Sequence, residues 1–377
     1  MMSVSLTART EESRRARLAQ GTQRTLPKLT AGVSFADNDY LGLSRDPRVA
    51  EAAIRALRDS GTGARAARHL AGICREHTDL EKALAEWKGT EAALVFASGY
   101  QTPLGVIPSL MSPKDTVLLE RNAHACLFDG TKLSGARLRL FSRNDPASLE
   151  KVLTSTQKIN PQGKILLVVE SLHSMDGDFA ELSTLVKLKN KFQAWLLLDE
   201  AHASGVVGPQ GAGWAAKQGL AHEVDIHMGT LGKSLGSSGG FVAASASLVG
   251  HFLNEARTFL FGTAPAPAAM AAAQQALEIV RSSEGENLRG CLHQNIRLHA
   301  SRHPGSQKGP IQPRLFRTND AVIRARDFLR SRGIEVAAIR PPTVPEGTAR
   351  LRLSLSARHT EQEIHHLADE LAGLPMA

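Results

Sequence analysis

Aromatic residues are scarce in this chain, with 3 Trp, 2 Tyr and 12 Phe among 377 residues. Binders of single-stranded nucleic acid stack bases on aromatic platforms, so this composition speaks against that class. Cysteine is rarer still. Cys74, Cys126 and Cys291 are odd in number and widely spaced, which leaves no disulfide framework and no CxxC pair. A reducing, cytoplasmic setting fits that usage. His69, Cys74 and His77 lie close together without an evident fourth ligand, so no metal site is expected. The chain also lacks a long apolar run. The uncharged stretch 258–277 is broken by Gly262, Pro265 and Pro267, and no membrane span is expected. The first thirty residues have no apolar core of a secretory signal. Their Arg, Ser and Thr content resembles a transit peptide, but Glu11 and Glu12 oppose that reading. No internal repeat and no low-complexity tract is visible.

An excess of acid is absent too: 45 Lys and Arg against 37 Asp and Glu give a net charge of +8. The basic residues are spread out and accompanied by acids, and no nucleic-acid motif accompanies them. Solubility and attraction of anionic substrates account for the charge without a nucleic-acid partner.

What is present is a full complement for a globular core, 42% hydrophobic and 22% charged. At about 150 residues per domain the length suggests two or three domains. Helices are expected over 11–20, 46–59 and 76–87, the second capped by Asp46 with Pro47 at its first position. Short apolar runs then alternate with helix-length segments. Strands are expected at 92–97, 116–119, 136–141, 164–169, 195–198, 226–228 and 240–244, with helices at 148–153, 182–192, 247–259 and 268–281. Several runs are apolar without alternation, as in strands covered on both faces. The fold class is therefore α/β, with a mostly parallel central sheet flanked by helices. After Ser282 the texture changes. A Gly- and Pro-rich stretch at 304–313, a helix at 321–332, an alternating strand at 349–356 and a helix at 360–371 suggest a smaller α+β domain. The expected division is an N-terminal arm at 1–37, a large domain at 38–281 and a small C-terminal domain at 282–377.

Ligands of such sheets bind beyond the carboxyl ends of the strands, so polar residues placed there carry the functional question. Asp199 ends the run Leu196-Leu197-Leu198, and His202 follows within reach. A buried carboxylate at a sheet edge needs a cationic partner, although an Asp there can also simply cap the next helix. Val168-Val169-Glu170-Ser171-Leu172-His173-Ser174-Met175-Asp176-Gly177-Asp178 runs a buried strand into a loop dense in hydroxyls and carboxylates, either a site or an acidic surface turn. Lys233 lies in Gly229-Thr230-Leu231-Gly232-Lys233-Ser234, a glycine-rich turn. A Walker A motif would need Gly five residues before Gly232, where His227 stands. The turn is either a flexible surface loop or a pocket in which a desolvated lysine binds a carbonyl covalently. Together these elements suit pyridoxal 5′-phosphate (PLP), which needs a lysine, a carboxylate beside its ring nitrogen, and donors for its phosphate.

The order Asp199-x-x-His202 followed by Gly229-Thr230-Leu231-Gly232-Lys233 resembles the α-oxoamine synthases, a branch of the fold-type I PLP-dependent transferases. Asn38-Asp39-Tyr40-Leu41-Gly42-Leu43, Ser98-Gly99-Tyr100 and Ser174-Met175-Asp176-Gly177-Asp178 agree, so the resemblance runs from about Asn38 to the C-terminus. Ala338-Ile339-Arg340-Pro341-Pro342-Thr343-Val344-Pro345 and Gly347-Thr348-Ala349-Arg350-Leu351-Arg352-Leu353 look like its biotin-pathway branch.

The resemblance implies that Lys233 holds PLP and then removes the Cα proton of the amino acid. Asp199 would pair with the ring nitrogen, His124 stack on the ring, and Ser174 and His202 bond its phenolic oxygen. Gly99, Tyr100 and Thr230 would serve the phosphate. Thr263 would reach the phosphate of a neighbouring subunit, implying a homodimer. Arg352 would clamp the amino-acid carboxylate, unless Arg350 and Arg352 form a solvated strand face; Arg340 would serve the substrate region. The implied substrates are L-alanine and a pimeloyl thioester, carried by CoA or by acyl-carrier protein.

Departures from the family pattern are Ala64, Ala66 and Ala67 in the loop 61–68, His173 where an aromatic is usual, Gln101-Thr102-Pro103, Pro265-Ala266-Pro267 and a short region before Asn38. They bear on substrate choice and rate more than on the cofactor. A sister synthase using glycine or serine, and a non-catalytic relative acting as scaffold or regulator, stay open as alternatives.

Overall fold

The computed structural model describes residues 5–26 and 32–374. Parts of the expected arm (1–4 and 27–31) and the last three residues of the expected C-terminal domain lie outside the described residues. The chain divides into a larger unit, Asn38–Gln294 with Ser356–Arg358, and a smaller one holding Asn295–Leu355 and the described residues before Asn38 and after Arg358. The expected break at 282 thus falls at 294/295, within a helix Ser283–Arg302. Its sequence hides it, because Gly285 and Gly290 interrupt a polar run and glycine is a poor helix former. Burial of Leu292 and Ile296 offsets that cost. Nor do the N-terminal residues form a separate arm, since they belong to the smaller unit.

Twelve strands occur among the described residues: β1 Val33–Ser34, β2 Ala92–Phe96, β3 Thr116–Glu120, β4 Arg137–Phe141, β5 Ile165–Glu170, β6 Trp195–Asp199, β7 Ile226–Thr230, β8 Gly240–Ala244, β9 Ile311–Leu315, β10 Ile334–Glu335, β11 Ala337–Ile339 and β12 Arg350–Ser354. The larger unit contains a seven-stranded sheet in the order β2-β8-β7-β6-β5-β3-β4. Only β8 runs antiparallel to its neighbours, β2 and β7, within this sheet.

The apolar runs that lacked alternation are indeed strands covered twice. Successive residues enter opposite cores: Val117, Leu119, Leu166, Val168 and Leu197 pack on one face, and Leu118, Leu167, Val169, Leu196 and Leu198 on the other. The helices Gln101–Leu110 and Ala125–Ser134 cover the first face through residues such as Ile107 and Leu127. Pro146–Ile159 and Leu182–Lys191 cover the second through Leu149 and Leu185. Pro47–Ser60 begins as its sequence signals, with the Asp46 side chain accepting from the Arg48 N–H. The helix expected at 247–259 is two, Ala246–Glu255 and Arg257–Leu260, parted by extended backbone at the buried Ala256 (ψ 101°).

In the smaller unit β12 lies between β11 and β9, antiparallel to both, and β1 pairs parallel with β10. Every residue of β12 is buried. Arg350 and Arg352 are only 5% and 4% exposed, so they do not form a solvated face. The helix Glu361–Ala372 starts from a reciprocal cap between Thr360 and Glu363.

Candidate active site

Five strands of the larger sheet, β2, β3, β5, β6 and β7, run parallel and end at one edge. Each delivers polar residues there, as the parallel-sheet rule anticipates. A cavity of about 210 Å³ opens among them, lined by Gly99 and Tyr100 after β2, His124 after β3, Asp199 and His202 at the end of β6, and Thr230 and Lys233 at the end of β7. Glu170, Cys126, Ala201 and Met228 complete the lining.

Lys233 rides on the turn joining β7 to β8. That turn is closed by hydrogen bonds from Leu231 N–H to the Gly239 carbonyl (3.0 Å) and from Ser237 N–H to the Leu231 carbonyl (2.9 Å). Gly236 has φ +58°, and a Cβ there would meet Ser44 N at 2.3 Å, so both conformation and space require glycine. The Lys233 Nζ lies 2.8 Å from His202 Nε2, and His202 Nδ1 lies 2.7 Å from the Tyr40 hydroxyl. Tyr40 in turn donates to Asn38 Oδ1 at 3.1 Å. A phenol has one proton, so its oxygen accepts from His202 Nδ1–H. That tautomer leaves Nε2 as the acceptor facing the lysine.

Asp199 ends β6 with its carboxylate accepting from Ala201 N–H at 2.9 Å. Burial raises its pKa, and the Lys233 charge opposes that rise. His124 caps the helix Ala125–Ser134, its Nδ1 accepting from Cys126 N–H at 3.3 Å. Burial lowers its pKa, so the ring presents a neutral, flat surface to the cavity. Burial pushes the Cys126 thiol upward, away from the thiolate. On the other side Ser98 Oγ accepts from Gln101 N–H (3.1 Å) and begins Gln101–Leu110, whose first amides have no acceptor inside the helix. A Cβ on Gly99 would come 3.1 Å from Thr230 Oγ1, which holds the bare backbone of Gly99 against the cavity.

Sequence reasoning missed Glu170 as a lining residue, although it closes an apolar strand just as Asp199 does. It faces Asp199 across the β5–β6 register and accepts from His124 N–H at 3.1 Å. Burial, then the neighbouring Asp199, raises its pKa to about 7. Ser174 does not line the cavity, and its hydroxyl moderates the rise in the Glu170 pKa. Behind these residues His173 is clamped between Glu120 Oε2 (3.1 Å) and Asp178 Oδ1 (3.3 Å). Burial would lower its pKa, but bonds to Asp178 and Glu120 prevail and raise it to about 10.

Thr263 is exposed and outside this lining. Arg352 and Arg340 belong to the smaller unit. Arg352 Nη1 donates to Ser354 Oγ at 2.8 Å, and Arg340 Nη1 donates to the Gly21 carbonyl at 2.5 Å.

The residues fit PLP. The cavity presents an amine, a buried carboxylate suited to a cation, a flat neutral imidazole and a helix start suited to a phosphate. The comparisons agree. A model of the class I and II aminotransferases matches residues 30–371. The 8-amino-7-oxononanoate synthase of Alkalilimnicola ehrlichii is 41% identical over 346 residues, 90% of this chain and 87% of that one. That of Geobacter sulfurreducens is also 41% identical, covering 90% and 88%. Among solved structures, serine palmitoyltransferase of S. paucimobilis, with PLP and myriocin bound, superposes with a TM-score of 0.91 at 26% identity over 98% of each chain. The 8-amino-7-oxononanoate synthase of Francisella tularensis gives 0.77 at 25% identity over 91% of this chain and 98% of that one. The chain belongs to the class I and II aminotransferase family and, within it, to the PLP-dependent α-oxoamine synthases.

Proposed function

We propose that the protein condenses L-alanine with a pimeloyl thioester, on CoA or on acyl-carrier protein, to give 8-amino-7-oxononanoate, carbon dioxide and the free carrier thiol. The observation that carries the proposal is Lys233 Nζ at 2.8 Å from His202 Nε2 in the cavity that also holds Asp199. The relatives that bear this name cover nearly the whole chain.

Lys233, Asp199, His124 and the amides of Gly99 and Tyr100 would hold PLP, which would supply an electron sink for charge developing at the alanine Cα. Lys233 Nζ takes the alanine Cα proton and later returns one. His202 accepts a hydrogen bond from Nζ, and Tyr40 holds the imidazole in the tautomer that lets it do so. Thr230 donates to the Gly239 carbonyl at 3.0 Å and keeps the lysine turn closed on its strand. Arg352 offers the planar fork that binds the alanine carboxylate.

Within the smaller unit Arg24 Nη2 donates to Thr343 Oγ1 at 2.8 Å beside a cavity of about 520 Å³, also lined by Arg17, Pro341, Pro342 and Glu346. Burial, with the charges of Arg326 and Arg24, lowers the Arg340 pKa. Arg340 we assign to the substrate region, as the family resemblance implies. Thr263 and a homodimer complete the proposal. A cytoplasmic enzyme fits it, and no described helix is long and apolar enough to cross a membrane.

The test is visible absorbance of the PLP-loaded protein titrated with L-alanine, glycine and L-serine, followed by pimeloyl-CoA with carbon dioxide counted. The expected result is a shift saturating with L-alanine, and one carbon dioxide per thiol released. A response to glycine or serine alone would transfer the protein to a sister synthase. An absent lysine-bound band, or one unchanged in Lys233→Ala, would leave the scaffold reading.

A further inference from the structure

The helix Ser283–Arg302 carries His299, and His303 follows one turn later, which brings the two rings onto one face. Their centroids are 4.7 Å apart. His299 is 3% exposed, and its Nδ1 is buried without a hydrogen-bond partner, as is His303 Nε2. Both rings line a cavity of about 200 Å³ in the smaller unit, together with Arg314, Leu353 and Leu371. Unpartnered buried nitrogens are rare in native interiors and ask for something to bond.

Arg314 lines the same cavity and is half-buried. Burial alone lowers its pKa, and among the described residues no carboxylate pairs with it. The rim is already ordered. Gln312 Oε1 accepts from Gln307 N–H at 2.8 Å, while its Nε2 donates to the carbonyls of Gln307 (2.9 Å) and Gly309 (2.7 Å). A loop fixed this way loses little freedom when a ligand binds.

The sign of the ligand follows from the charges. Two imidazoles four residues apart could chelate a metal, but no group of three metal-capable side chains exists among the described residues. Arg314 also acts on His303 as a neighbouring positive charge, which opposes a cation. Burial, with the neighbouring His303, lowers the His299 pKa to about 4, so the neutral ring offers one N–H rather than a charge. An anion in this cavity pairs with Arg314 and accepts from the imidazole N–H groups of the two rings that line it. Leu353 and Leu371 supply apolar wall for whatever the anion carries.

We propose that this cavity is a second ligand site, separate from the PLP pocket, that binds a small carboxylate with a short apolar tail through His299, His303 and Arg314.

The test uses the full-length, PLP-loaded protein with ¹³C-labelled histidine, titrated with butyrate and followed by NMR. The signal lost in His303→Gln identifies His303. The expected result is a saturable shift of that signal, with affinity at least about tenfold weaker in Arg314→Gln and largely kept in Arg314→Lys. Butyramide, which lacks the charge, and inorganic phosphate, which lacks the tail, should both bind more weakly than butyrate. Unmoved signals overturn the site. Phosphate matching butyrate overturns the apolar tail, and Zn²⁺ saturating both histidines overturns the anion. If Arg314→Gln fails to fold, the ligand series on the parent protein and Arg314→Lys still decide.

Discussion

Asp199 and Glu200 are neighbours in sequence, both carboxylates and both buried, at 5% and 0% exposure, yet their proton affinities move in opposite directions. Glu200 meets Lys88 Nζ at 2.8 Å, and that amine also donates to Ser204 Oγ (2.9 Å) and the Ala212 carbonyl (2.6 Å). Burial would raise the Glu200 pKa, but the charge of Lys88 and the His227 ring, its Nδ1 3.5 Å from Oε2, outweigh it and lower the value to about 2. Asp199 faces the cavity, and there burial prevails over Lys233 and the pKa rises. One carboxylate is closed within the protein. The other faces the cavity, and in the proposed function its counter-charge is the ring nitrogen of PLP. Burial by itself marks neither residue as functional; what distinguishes them is whether the fold already supplies the counter-charge.

Removing Lys88 should break this contrast most sharply. Lys88→Met leaves Glu200 buried without its cation, and the expected loss is about 3–5 kcal/mol of unfolding free energy. Asp199→Asn should leave the PLP-free protein within about 1 kcal/mol of the parent, because it removes a desolvated charge, while its affinity for PLP falls. Urea unfolding of both PLP-free variants, with PLP titrated by absorbance, checks the pair; equal losses of stability would erase the distinction. The Glu200 contribution is complete above pH 4.5 and is lost as pH falls through about 2.

His173 sharpens the comparison from the opposite sign, as a buried cation closed by carboxylates. Its pKa is raised from 6.5 to about 10, so its contribution is complete below pH 6.5 and fades as pH rises through about 10. His173→Phe should cost about 3 kcal/mol at pH 6. Its melting temperature should then approach that of the parent between pH 6.5 and 10. A gap that does not change with pH would mean that His173 carries no charge.

The smallest effect belongs to Tyr40. Tyr40→Phe removes the hydroxyl that orients His202 and should lower kcat by about five- to tenfold, near 1 kcal/mol. Unchanged turnover across the pH range would show that His202 holds its tautomer without help.

Much of this was legible in the sequence. Strands β2 to β8 follow from apolar runs, and Lys233, Asp199, His202, His124, Gly99, Tyr100 and Thr230 do meet at one cavity. What stayed hidden depends on distant pairing. Glu170 gains its position from the register with β6, and Tyr40 reaches His202 across 162 residues. No spacing rule exposes either. The helix Ser283–Arg302 was missed because its local propensity is weak and its burial tertiary.

The reversed strand β8 has a consequence for how the protein can change. Because β7 and β8 form a hairpin, with Thr230 opposite Gly240, the loop holding Lys233 is measured from both ends. A deletion anywhere in that loop would shift the amine or slip the register, and a one-residue slip turns Val242 and its alternate neighbours to the wrong face. The segment 231–239 should therefore tolerate substitutions of small residues far better than any change in length, so that variation in this protein is metrically frozen where the Lys233 amine stands.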